Sequence, residues 1–180
     1  MRIKWFSLIR ITGLLLVLLY HFFQTIFPGG FFGVDVFFTF SGFLITALLI
    51  EEFSKDREID LIGFFRRRFY RIVPPVVLMV LVTMPFTFLV RQDYVAGIGG
   101  QIAGVLGFMT NFYELLTGGS YESQFIPHLF VHNWSLAVEV HYYILWGLAV
   151  WFLSKRSKSS SQLRGMVFLL SAGAFIISFF

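Results

Sequence analysis

Two apolar runs of about twenty residues, 7–27 and 31–50, follow one another across the turn Phe27-Pro28-Gly29-Gly30. Each is long enough to cross a bilayer as a helix, and the joint is too short for anything but a tight hairpin. Nothing else in the chain narrows its folding so far. A chain that starts in lipid must satisfy its backbone polar groups within the spanning elements, which for these runs means helices.

The remainder of the sequence fits that start. Of its 180 residues 57% are hydrophobic and only 13% charged, where a soluble domain carries far more charge. Further apolar segments lie at about 72–90, 95–116 (weak or re-entrant), 133–153 and 164–180. The last stops within its run, so the chain reads as the first part of a longer protein. The expected fold is an all-α polytopic transmembrane helical bundle. A net charge of +4 does not point to nucleic acid, because the basic residues cluster beside apolar runs, where they set topology. The absence of cysteine removes a thiol nucleophile, a thiolate metal site and any disulfide. Met1-Arg2-Ile3-Lys4 imitates a signal peptide, but Arg10, His21 and the lack of a small-residue cleavage site make this a retained helix.

Six Lys/Arg between residues 53 and 72 place that loop, and with it the N-terminus, in the cytoplasm. Lys55 and Arg57 read as solvated charges, and the aromatic-arginine stretch from Phe64 as a short interfacial helix leading into the third span. The basic stretch Lys155-Arg156-Ser157-Lys158 marks a second cytoplasmic loop. If both loops lie inside, the chain between the third span and residue 133 must cross an even number of times. One 22-residue segment cannot do that, so 95–132 should contain a re-entrant or interfacial element lying against protein. Gly100 and Gly104 within it have the spacing of a close helix contact.

Ionisable groups inside spans are costly and mark candidate sites. Arg10 and His21 are eleven residues apart, about 20° past three turns, so they share a helix face roughly 16 Å apart. One side chain could hold a charged ligand end and the other work at a reactive end. Equally, Arg10 could snorkel to the headgroups and His21 serve as a hydrogen-bonded packing residue. With the hairpin tip near Pro28, His21 and Asp35 lie at equal depth, about 10 Å below it. Asp35 could then orient the imidazole, or simply favour the start of its own helix. Arg68 and Arg71, on one helix face, form a fork suited to phosphate or a purely topogenic pair. Glu139 lies in an apolar span as a functional carboxylate or a neutral helix-bonding one. His128 and His132 have metal spacing but lack a third ligand, so no metal site is expected. Ser41 does not fit a nucleophile elbow and reads as a close-packing residue. His141, Tyr142 and Tyr143 follow Glu139 as hydrogen-bonding groups of the bundle.

Together these segments resemble the membrane acyltransferase-3 family. The likeness rests on Arg10 and His21, on Pro28-Gly29-Gly30-Phe31-Phe32-Gly33-Val34-Asp35-Val36-Phe37-Phe38 with Ser41-Gly42-Phe43-Leu44, on Arg68-x-x-Arg71 before Pro74-Pro75, and on His132-Asn133-Trp134-Ser135-Leu136-Ala137-Val138-Glu139. Val140-His141-Tyr142-Tyr143 departs from the Glu-Gln-Phe-Tyr of many relatives and leaves a second carboxylate without a counterpart. The resemblance implies a membrane O-acetyltransferase acting on a carbohydrate hydroxyl of peptidoglycan or surface polysaccharide. Acetyl-CoA would be the donor substrate, with no cofactor. It implies that His21 is essential for transfer and that Arg10, Arg68 and Arg71 hold the donor's phosphates. In that scheme His21 acts as general base or as a transient acyl carrier, with Asp35 or Glu139 holding its tautomer. A family core of about ten spans would leave five or six here. The non-enzymatic alternative is a transporter or flippase in which His21, Asp35 and Glu139 relay protons. The oligomeric state is left open.

Overall fold

The computed structural model of the chain describes residues 4–89, 95–117 and 128–178, with all their side chains except those of residues 4–7, 10 and 88. The described residues form seven α-helices and no strand. Helix α1 (Lys4–Phe22) and α2 (Phe32–Asp56) are the expected hairpin, joined by a 3₁₀ turn at Pro28–Phe31. They touch through backbone: a Cβ on Gly33 would lie 2.5 Å from the Gly13 carbonyl oxygen. One on Gly30 would overlap the carbonyl oxygen of Leu16. Only glycine lets helices approach so closely.

Helix α2 runs past the apolar stretch to Asp56, where Glu51 and Lys55 pair at 2.6 Å one turn apart. It ends on Arg57 in the left-handed region (φ 59°). Helix α3 (Leu61–Thr83) opens with the Asp60 side chain accepting from the Gly63 amide at 2.9 Å. It continues without a break through Pro74 and Pro75. The interfacial helix and the third span are therefore one element. The proline pair removes the amide donors to the carbonyls of Tyr70 and Arg71, a loss that helices packed in a bundle tolerate.

Two short helices follow, α4 (Ile98–Leu106) and α5 (Thr110–Thr117). Their 9 and 8 residues reach only about 14 and 12 Å, so neither crosses a hydrocarbon core of about 30 Å. Gly107 caps α4, and Phe108 (φ 54°) turns the chain back into α5. The Tyr113 ring fills the space that a side chain on Gly100 would need, and Gly104 faces the backbone of Thr110 at the start of α5. A part-buried hydrogen-bonding contact, His128 Nδ1 to Glu114 Oε2 at 2.8 Å, ties α5 to the chain entering the next span.

Helix α6 (Trp134–Arg156) and α7 (Ser160–Ile177) complete the bundle. Trp146 Nε1 donates to Thr46 Oγ1 at 2.8 Å, and Ser41 bonds Glu139, so α6 runs parallel to α2. Helix α3 runs antiparallel to α6, with Phe64 against Gly147 at one end and Met79 beside Asn133 at the other. The α2–α3 and α6–α7 turns consequently meet at one end. There Lys155 reaches Glu58 at 2.6 Å and the Arg57 guanidinium donates to the Lys158 carbonyl at 3.4 Å. Just inside that end sits the main core, made by Ile45, Leu49 and Phe53 of α2, Phe64 of α3, Val150 of α6, and Leu163 and Val167 of α7. Four helical segments, including α2, α3, α6 and α7, are long and apolar enough to span a membrane. Their outward residues, such as Leu78, Leu145 and Phe168, are exposed apolar side chains suited to lipid.

Candidate functional site

Parallel α2 and α6, with α3 running against them, bring three sequence-distant polar residues together midway along the bundle. Ser41 and Tyr143 both donate hydrogen bonds to the same oxygen of Glu139, Oε1. The two hydroxyls lie 3.5 Å apart. Ser41 is therefore more than a packing residue. A hydroxyl and a carboxylate in an apolar bundle need partners, and each supplies the other's. Glu139 is the helix-bonding carboxylate, and it also borders open space.

That space is a cavity of about 260 Å³ lined by Arg68, Arg71, Ser41, Glu139 and Tyr143, with apolar walls that include Leu44, Ile72 and Pro75. The arginine pair and the carboxylate thus share one chamber. Arg68 lies 4.4 Å over the Phe64 ring, which holds the guanidinium at the chamber's core-side end. Arg71 is one turn farther along α3, toward Glu139. A second, more apolar cavity of about 550 Å³ opens between α2, α6 and α7, and Ser41 and Glu139 border it as well.

The imidazole expected at the reactive end stands apart from this chamber. His21 Nδ1 lies 2.7 Å from the Val17 carbonyl oxygen, one turn back on its own helix. A carbonyl can only accept, so Nδ1 donates to it. The His132 ring packs edge-to-face on His21, with centroids 5.0 Å apart. The two candidate metal ligands thus take different partners, His128 an acid on α5 and His132 another imidazole. Among the described residues no group of three or more His, Asp or Glu gathers as a metal site.

Depth separates the candidates. Glu139 lies seven residues beyond His132, about 10 Å along the bundle from the imidazole pair. Asp35 is exposed in the first turn of α2. The connection from 23 to 31 folds back along α1, so Gly30 meets Leu16 and Tyr20 while Gly33 meets Gly13. On α2, Asp35 lies before Ser41, on the side of the imidazole pair. Arg10 occupies α1 three residues before Gly13, and its side chain lies outside the described residues.

Sequence reasoning passed over Ser41, Tyr143 and His132 as site members. The available signal was polarity within apolar runs, which demands a partner that spacing along one helix cannot identify.

A family model described as an acyltransferase domain matches residues 3–180. Over 174 residues the chain is 32% identical to the O-acetyltransferase OatA of Staphylococcus aureus strain NCTC 8325, covering 96% of this chain and 29% of that protein. The same figures hold for OatA of strain COL. SACOL0978 of strain COL, a protein provisionally named an O-acetyltransferase, is 33% identical over 136 residues, covering 76% of this chain and 22% of that one. The chain thus spans less than a third of the length of these curated relatives. No solved structure matches it.

Proposed function

Because the chain belongs to the acyltransferase-3 family, we propose that it carries the donor side and the base of a membrane O-acetyltransferase. Its donor is acetyl-CoA and its acceptor a carbohydrate hydroxyl of peptidoglycan or surface polysaccharide. The end holding Lys155, Arg156 and Lys158 faces the cytoplasm, following the positive-inside rule. Arg68 and Arg71 take the donor's phosphates in charge-assisted hydrogen bonds, with Arg10 assisting farther along the path. The donor's thioester arm enters the chamber and points toward the imidazole end. There His21 Nε2 takes the proton of the acceptor hydroxyl while that oxygen attacks the thioester carbonyl. The carbon–sulfur bond breaks, the imidazolium returns its proton to the departing thiolate, and the products are the acetyl ester and free CoA.

The observation that supports this reading best is the Val17 carbonyl on His21 Nδ1, which leaves the ring the basic nitrogen that a general base requires. Asp35 remains a proposed contributor through its charge, and Glu139 through the chamber it lines. Acetyl transfer from labelled acetyl-CoA in vesicles tests the reading with the His21→Ala variant. Transfer should fall at least a hundredfold, the low end of a general base's worth, with membrane insertion unchanged. Full transfer by that variant would remove His21 from the chemistry.

A further inference from the structure

The function proposed above leaves unexplained why a serine, a glutamate and a tyrosine meet halfway across an apolar bundle. Three observations bear on this. The chamber containing them is about 260 Å³, below the roughly 300–1,000 Å³ of cavities that enclose a drug-sized ligand. It therefore has room for a slender chain but not for a nucleotide, which must stay at the arginine end. The cluster also lies in depth between that end and the imidazole pair, on the line a donor arm follows. Finally, Ser41 and Tyr143 both donate to Oε1 of Glu139, and no hydrogen bond to Oε2 is described. The carboxylate keeps an acceptor for an incoming N–H, and either hydroxyl can turn to an incoming carbonyl.

A donor arm that crosses apolar surroundings carries its polarity in amide groups, and each amide costs free energy there unless bonded. We infer that Ser41, Glu139 and Tyr143 form the subsite for the amide-bearing arm of the acyl donor. Glu139 Oε2 accepts from an amide N–H and the Tyr143 or Ser41 hydroxyl donates to an amide carbonyl. The three are binding residues acting well before the bond-making step, and the inference rests on the acyl-transfer reading.

Donor truncation separates the two ideas. Transfer is measured with the full-length protein in vesicles, using acetyl-CoA, S-acetylpantetheine (both amides, no nucleotide) and S-acetyl-2-mercaptoethanol (no amide). Tyr143→Phe and Ser41→Ala should raise KM about 5- to 10-fold, the worth of one hydrogen bond, on the first two donors. On the amide-free thioester the penalty should shrink to within about twofold. Arg68→Ala with Arg71→Ala should penalise acetyl-CoA alone. Equal losses on all three donors would make the cluster a structural feature and overturn the subsite. If the unaltered protein transferred from none of the donors, the acyltransferase reading itself would fall.

Discussion

At the loop end of the bundle, side chains hold the helices: Leu49, Phe53, Phe64, Val150 and Leu163 are buried against one another. At the other end α1 contributes no described buried side chain to a core; its buried residue is Gly13. That helix is placed by backbone meeting backbone at Gly13, Leu16, Gly30 and Gly33. The arginine chamber thus rests on a thick apolar support, whereas the imidazole is carried on a helix fixed by glycines. A substitution should therefore harm stability at one end and catalytic geometry at the other.

The strongest attack on the contrast is Phe64→Ala. Emptying that ring from among Leu49, Val150 and Gly147 should cost about 3–5 kcal/mol of stability, read as a lower unfolding temperature in detergent. The fraction that stays folded should keep its kcat at saturating donor, with KM for acetyl-CoA raised because Arg68 loses the ring beneath it. Next in size is Gly33→Ala, whose Cβ must push away the Gly13 carbonyl at 2.5 Å and Val17 Cγ2 at 2.8 Å. A displacement of about 1 Å is enough to lower kcat on the order of 100-fold, while acetyl-CoA affinity and unfolding temperature change little. Equal damage to donor affinity would show that the two ends are not independent. The smallest effect belongs to Lys155→Ala, which breaks an exposed pair with Glu58. It should cost under about 1 kcal/mol and leave transfer unaltered in the same assay.

Much of this arrangement was readable from the sequence because lipid restricts what a chain can do. The hairpin at Pro28-Gly29-Gly30 follows from apolar length and turn chemistry, and the short helices α4 and α5 fall where the sequence read a weak apolar segment. What escaped is contact between distant residues. The hydrogen bond from Ser41 to Glu139 spans 98 positions, and no periodicity announces it. The sequence also read an interfacial helix and a third span where one helix, α3, runs through Pro74 and Pro75. Helix-breaking tendencies measured in water weaken where neighbouring helices absorb the lost donors.

The partner of His21 Nδ1 is main chain, and that gives the ring an unusual kind of independence. No exchange of the side chain at position 17 can delete a carbonyl, so Val17→Ala or Val17→Leu should leave the same nitrogen basic. Side chains around the ring can therefore change without altering which atom Nδ1 meets. Only unwinding the last turns of α1, or replacing the histidine itself, takes the proton from its place.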